Sequence, residues 1–422
     1  NDYILIMSEA VTCKTGGAPD AVRQVVLVSA VRTPVGKFMG ALAEVPAHVL
    51  GAQCIREVLR RANDLSPADV DEVVLGQVLT SGAGQNPARQ AAKLAGIPVE
   101  VPAHLVNMLC GSGLRAVVTA CQAIQCGSSD LVVAGGQESM SLAPHLLHMR
   151  RPVKFGDRTA QDSLMCDGLT DAFSSKHMGV TAENVARRYG VSRQDQDNFA
   201  CLSQNKAEKA QRSDLFKEEL LPAAASAVGS DPQEPLLRQD EFPRHGTTVE
   251  GLKSLKPSFQ KDAEATVTAG NSSGINDGAA ALLLASAEEA AKRGLPVMAR
   301  VVSYGQAGVE PDYMGMGPVP AIRKALSRAG WSTKDVDLFE LNEAFAAQAV
   351  AVCSELDLDR ARLNVCGGAI ALGHPIGCSG ARILVTLAHQ MRRLSARRGC
   401  AAACIGGGMG IAVCLELPSS SD

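Results

Sequence analysis

Four short polar stretches carry the residue types that nucleophilic and acid–base chemistry needs. The first is Cys110-Gly111-Ser112-Gly113, which runs into the apolar segment Leu114 to Ile124. Leu114, Val117, Val118, Cys121 and Ile124 recur at helical spacing, so Cys110 sits at or just before a helix start. Unpaired backbone N–H groups and the positive end of the helix dipole favour a thiolate there. Flanking glycines let a substrate carbonyl approach the backbone closely. A buried structural cysteine is the competing reading of this stretch taken alone.

The other three lie in the second half. Asn342-Glu343-Ala344-Phe345-Ala346 follows the strand-like run Val336 to Leu341. Gly367 to Pro375 places His374 on a loop, and Cys404 to Gly410 ends the run Ala401 to Cys404 in a glycine cluster. Strand C-termini are where open α/β sheets place their sites. Each stretch has a plain alternative: a solvated histidine, a turn, one more small apolar residue. Together they describe one chemistry. His374 could be the base that turns Cys110 into a thiolate. Cys404 could move a proton to or from carbon. Backbone N–H groups at Cys110 and in the Gly406–Gly408 turn could form an oxyanion hole, and Asn342 could orient a water or a carbonyl. That set suits acyl transfer through a thioester.

Composition narrows the partners. The 422 residues are 46% apolar and 20% charged, with net charge −3, so a soluble globular protein of two or three domains is expected. This balance gives no case for nucleic acid or an anionic membrane. Aromatics at 3% remove the stacking platforms of single-strand and sugar binders. Thirteen cysteines without CxxC spacing read as reduced thiols, with no zinc site. No segment reaches the roughly 18 apolar residues of a membrane span. No signal pattern is present, so a cytoplasmic protein is expected.

The elements that must position these residues alternate. Val25 to Val31 reads as a strand, His48 to Ala62 as a helix, Val70 to Leu75 as a strand and Pro87 to Leu94 as a helix. Asp130 to Ala134 reads as a strand ending at Gly135-Gly136. This alternation predicts a parallel, helix-covered sheet. The C-terminal third repeats the plan: Leu65–Gln77 faces Trp331–Glu343, and Cys110–Ile124 faces Gly377–Met391, at offsets of 266 and 267 residues. A duplicated α/β unit follows, with a pseudo-twofold that would bring residues from both sequence ends to one site. Residues 142–268 interrupt the repeat and are richer in charge than the chain as a whole, as a surface excursion would be. Asn271 to Gly278 reads as a glycine-rich turn that returns the chain to the repeat.

Ten stretches, in order, resemble the thiolase family: VRTPVGKFMGAL, GQNPARQAA, CGSGLRAV, GGQESMSLAPHL, HMGVTAENVA, DEFPRHG, TVTAGNSSGINDGAAA, NEAFA, GGAIALGHPIG and CIGGGMG. They cover Val25 to Leu417, and GHPIG and CIGGGMG are highly specific. The resemblance is to the short-chain, cytosolic acetyl-CoA acetyltransferase type. It implies the α/β thiolase fold, two duplicated α/β domains layered α/β/α/β/α plus an inserted loop domain. Residues 25–141 and 269–297 would form the N-terminal domain, 142–268 the loop domain and 298–418 the C-terminal domain. Residues 1–24 precede the family start and are expected to be poorly ordered.

The resemblance also implies roles. Cys110 accepts the acyl group, His374 activates it, and Cys404 is the acid/base at the α-carbon. Asn342 holds a water of the first oxyanion site, and the Cys110 and Gly406 amides form the second. Leu169, His177, Met178, Arg244, Thr247 and Ser273 fall where relatives line the coenzyme A channel. The substrates would be acetyl-CoA, acetoacetyl-CoA and CoA, with no permanently bound cofactor, and the assembly a homotetramer of tight dimers. Thr247 replaces a serine and Gln204 a tyrosine of potassium-activated relatives, so no potassium site is expected. Cys378 replaces a small residue near His374 and is a candidate for stray oxidation or alkylation. Competing functions are a longer-chain 3-ketoacyl-CoA thiolase, an idle acyl-CoA or lipid carrier and, more remotely, a dinucleotide dehydrogenase.

Overall fold

The structure, a computed structural model, describes residues 22–150, 154–224 and 236–418. The expected disorder of residues 1–24 therefore falls almost wholly outside the described residues.

The chain opens with β1 (Val25–Arg32), β2 (Gly36–Lys37), α1 (Ala47–Arg61), β3 (Glu72–Gly76) and α2 (Pro87–Leu94). β4 (Ala103–Val106), α3 (Ser112–Gln125) and β5 (Leu131–Ser139) follow. The excursion holds the paired β6 (His145–Leu146) and β7 (Gln161–Asp162), a π-helical turn Leu164–Leu169, α4 (Met178–Tyr189), α5 (Arg193–Arg212) and α6 (Val249–Lys253). β8 (Asn276–Ser286) and α7 (Ala287–Arg293) return to the sheet. The second copy runs β9 (Ala299–Gly308), α8 (Pro318–Ala329), β10 (Leu338–Leu341), α9 (Ala346–Leu356), α10 (Ala369–Leu372), α11 (Ile376–Leu394), β11 (Arg398–Ile405) and β12 (Met409–Glu416).

The main strands form one sheet in the order β10-β11-β12-β9-β1-β8-β5-β3-β4. Reading outward from the β9–β1 seam, β9-β12-β11-β10 matches β1-β8-β5-β3, and β4 extends the first copy by one strand. The seam itself is short: Val25, Val26 and Leu27 pair with Val301, Arg300 and Ala299. Helices α3 and α11 pack on each other between the two halves of the sheet. α1 and α2 cover the outer face of one half, and α8 and α9 that of the other. Because both faces are covered, the strands read as continuous apolar runs; all eleven residues of β8 are buried.

Three sequence expectations need correction here. The sheet is mixed, not parallel: β3–β4, β3–β5 and β10–β11 are parallel, and the other pairings of this order are antiparallel. The three-residue glycine turn Gly406–Gly408 forces β11 and β12 into a hairpin, and a run buried on both faces carries no mark of its direction. β5 does not stop at Gly135-Gly136 but continues to Ser139. These glycines serve close packing. A Cβ on Gly135 would lie 2.1 Å from the Ala280 carbonyl oxygen, and one on Gly136 2.2 Å from that of Gly377. Similarly, Asn276 to Gly278 belongs to β8 and not to a turn.

The excursion is anchored by a buried ion cluster. Arg32, at the end of β1, meets Glu219 at 2.6 Å and Asp240 at 2.7 and 2.9 Å. Removing one partner of such a cluster strands a buried charge, at a cost of about 3–5 kcal/mol.

Candidate active site

A cavity of about 1040 Å³ lies where the excursion folds over the β11–β12 turn and the Cys110 loop. Cys110, His374 and Gly406, which are 264 and 32 residues apart in sequence, all reach its wall.

Cys110 sits in the loop between β4 and α3, two residues before the helix. Leu109 before it has φ of +47°, a left-handed conformation that non-glycine residues adopt at a cost. Ser112 holds the turn: its hydroxyl donates to the Leu109 carbonyl at 2.7 Å and accepts the Met108 N–H at 2.8 Å. Interaction with the backbone N–H groups of Gly406 and of Cys110 itself favours the thiolate. Even so, burial pushes the thiol up to about 11, and the charge of nearby Glu138 adds to the effect. Desolvation thus opposes the thiolate that the helix start and the amide donors favour.

His374 is 7% exposed, and its Nε2 lies 3.3 Å from the Cys110 sulfur. Its Nδ1 lies 2.5 Å from the Ser379 hydroxyl, which itself donates to the Pro375 carbonyl at 2.8 Å. That hydroxyl must accept from Nδ1–H, which assigns the proton to Nδ1 and leaves Nε2 as the acceptor facing the thiol. Burial, aided by the charge of Arg382, lowers the imidazole to about 4. At neutral pH the pair is thus a thiol and a neutral base. Asn276 fixes the loop by accepting the His374 N–H at 2.9 Å. Gly373, with φ of +103°, passes so close to Asn276 that a Cβ would lie 2.4 Å from its carboxamide carbon.

Asn342 follows β10 and is fully buried. Its Nδ2 lies 3.4 Å from His374 Nε2, and its Oδ1 has no hydrogen-bond partner. It touches His374, not the cavity wall. Cys404 pairs with Gly410 near the end of β11 and is also fully buried. Burial pushes its thiol far up, and proximity to Cys110 pushes it further.

Of the six residues expected along a channel, Leu169, His177 and Met178 line the cavity from the excursion, and Arg244 and Ser273 line it too. His177 stacks on Phe259 with centroids 4.7 Å apart and accepts the Gly179 N–H, capping α4. Thr247 is not in the wall; its hydroxyl donates to the Arg244 carbonyl at 2.6 Å and so shapes the loop beneath Arg244. Gln204 takes the Arg244 N–H and donates to the Ile370 carbonyl. Cys378 is 1% exposed, and burial raises it to about 12, which makes it a poor decoy for oxidants or alkylators. Sequence reasoning missed Ser379, Asn276, Glu138 and Phe259. For Ser379 a signal existed: it is the repeat equivalent of Ser112.

The comparisons with known proteins bear on the whole chain. The thiolase N-terminal domain family matches residues 25–288, and the thiolase C-terminal domain family matches 295–417. The cytosolic acetyl-CoA acetyltransferase of Mus musculus is 54% identical over 93% of this chain and 98% of its own length. The acetyl-CoA acetyltransferase of Pseudomonas aeruginosa is 55% identical over 93% of this chain and 99% of its own. Among solved structures, the Bacillus anthracis acetyl-CoA acetyltransferase superposes with a TM-score of 0.90 at 42% identity, covering 95% of this chain and 100% of that one. Human mitochondrial 3-ketoacyl-CoA thiolase in complex with CoA gives 0.89 at 42% identity, covering 94% and 98%. With both halves of the duplicated fold matched from β1 to Leu417, the chain belongs to the thiolase family.

Proposed function

We propose that this protein is an acetyl-CoA C-acetyltransferase that joins two acetyl-CoA into acetoacetyl-CoA and CoA, reversibly, through an acetyl-Cys110 intermediate. The observation that carries the reading is the 3.3 Å contact between the Cys110 sulfur and the His374 nitrogen that Ser379 leaves unprotonated.

In the acylation half, Cys110 gives its proton to His374 Nε2 and attacks the thioester carbonyl. The leaving CoA thiolate takes the proton of Cys404 and departs as the thiol. Cys404 is now the thiolate. Like charge opposes two thiolates side by side, and acetylation of Cys110 removes that obstacle. In the condensation half, Cys404 takes an α-proton from a second acetyl-CoA. The carbanion attacks the acetyl-Cys110 carbonyl, and the released Cys110 thiolate recovers its proton from His374. In this reading the Cys110 and Gly406 N–H groups take the oxyanion of the acyl-enzyme, and His374, with a water held by Asn342, takes that of the substrate thioester.

The division into an N-terminal domain (25–141 and 269–297), a loop domain (142–268) and a C-terminal domain (298–418) is part of the proposal. So is coenzyme A in the channel of Leu169, His177, Met178, Arg244 and Ser273. His177 and Phe259, stacked in the cavity wall, are proposed to limit the acyl group to acetyl. Cytoplasmic residence, as in the name of the mouse relative, and a homotetramer of dimers complete it. Mass spectrometry after mixing with acetyl-CoA tests the core of the reading. The acetyl group is expected on Cys110, and a label on another thiol or none would reject it.

A further inference from the structure

Glu138 is a buried carboxylate that the proposed reaction does not use. It is the penultimate residue of β5 and is 0% exposed. One oxygen accepts the N–H groups of Val78 and Gly377, both at 2.9 Å, and the other accepts that of Leu79 at 3.2 Å. These donors come from segments almost 300 residues apart. Val78 belongs to the loop after β3, and Gly377 opens α11 three residues after His374. The first loop is tied to the Cys110 side: the Gln77 N–H donates to the Val106 carbonyl, and a Cβ on Gly76 would lie 2.6 Å from the Ser112 backbone. The second is the His374 side. At Gly377 the two meet so closely that a Cβ would lie 2.6 Å from the Gln77 Cα and 2.8 Å from the Glu138 carboxylate.

A carboxylate that takes three backbone N–H groups from two loops fixes their separation. A side chain with one acceptor oxygen could keep the Val78 and Gly377 bonds, which share one oxygen, but would set an N–H against that of Leu79. We propose that Glu138 is a positioning residue that sets the spacing and alignment of Cys110 and His374 by clamping the loop after β3 to the start of α11. This role rests on the acyl-transfer reading of Cys110. Its charge has a second effect. Asp277 of β8, Cys110 and Cys378 all face it closely enough for like-charge repulsion, and burial raises its carboxyl to about 7.

Two consequences of opposite sign follow for Glu138→Leu, which removes the acceptors of all three N–H groups. Loss of the clamp loosens the Cys110–His374 alignment, and misplacement by about 1 Å costs on the order of 100-fold in rate. Loss of the charge eases ionisation of Cys110. Turnover of acetoacetyl-CoA plus CoA is therefore expected to fall 10- to 100-fold, with KM within about threefold. The iodoacetamide rate at Cys110, at pH 8, is expected to rise. Unchanged turnover, or a fall in turnover and alkylation together, would overturn the clamp. Should the variant not fold, hydrogen exchange on the wild-type enzyme decides: peptides spanning Val78–Leu79 and Gly377 are expected to be protected, and free exchange there would overturn it. Acetylation of wild-type Cys110 by acetyl-CoA tests the acyl-transfer reading separately, so the two failures are distinguishable.

Discussion

The starts of α3 and α11 occupy equivalent places in the two copies, yet in the proposed reaction one presents a nucleophile and the other a base. At an offset of 267, Cys110 corresponds to Gly377, Ser112 to Ser379 and Gly113 to Gly380. Ser112 uses its hydroxyl on its own turn, joining Met108 and Leu109. Ser379 uses the same hydroxyl to close a turn on Pro375 and to fix the tautomer of His374. Duplication thus supplied two equal helix starts facing each other across the pseudo-twofold. Chemistry arose from what each start was given afterwards.

The largest test of this asymmetry is removal of the sulfur. Cys110→Ala is expected to lower turnover by at least about 10⁴-fold while CoA still binds, as measured by acetoacetyl-CoA thiolysis and calorimetry. Substantial residual turnover would move the nucleophile elsewhere. Next comes the serine pair. Ser379→Ala strands a buried Nδ1–H, a loss of about 1–3 kcal/mol, or roughly 5- to 150-fold in kcat. Ser112→Ala is expected to lower the melting temperature with kcat within about threefold, because its partners belong to one turn. Equal kinetic effects from the two serines would erase the proposed division of labour.

The pH response follows from the same geometry. Iodoacetamide attacks the thiolate. With the Cys110 thiol raised to about 11, the thiolate fraction climbs about tenfold per pH unit from pH 7 to 10, with no plateau near 9. With His374 lowered to about 4, its imidazole stays neutral and able to accept a proton above that pH, so His374 itself gives acylation no acid limb above pH 5, and a limb near 7 would belong to Glu138, which burial raises to about 7. An ordinary histidine would lose activity from pH 6.5 downward. A plateau in alkylation near neutrality would mean a resting thiolate–imidazolium pair. Cys378, sealed in α11, is expected to remain unlabelled throughout.

Much of this was legible because it depends on local pattern. Pro87–Leu94 has the same bounds in sequence and structure, since Asn86 caps it and proline opens it. The repeat was legible because the two copies still share turn residues around the Cys110 and Gly377 starts. Strand direction was not, because β8 is buried along its whole length and its apolar run reads the same in either direction. Nor was the purpose of Gly135-Gly136, which a strand neighbour and a helix start require and no local rule reveals. The burial that opposes ionisation of Cys110 was hidden for a related reason: a helix start is visible in sequence, but the depth of burial around the sulfur is not. Glu138 and Asn276 escaped notice because their partners are backbone groups of distant loops.

The last expected effect, on stability and not on the reaction, concerns the helix crossing itself. A Cβ on Gly113 would lie 2.4 Å from the Ala381 nitrogen, and one on Gly380 would lie 2.5 Å from the Leu114 nitrogen. The obstruction is backbone in both cases, so no side-chain rotation relieves it. Each alanine must push α3 and α11 apart, and such overpacking costs typically about 1–3 kcal/mol. Because the two glycines are repeat equivalents facing each other, Gly113→Ala and Gly380→Ala should destabilise by similar amounts in denaturant unfolding. The double variant should cost less than the sum, since the first methyl already opens the gap that the second needs. Full additivity would mean that the crossing is not one shared contact, and that the likeness of the two copies ends short of the surface on which they meet.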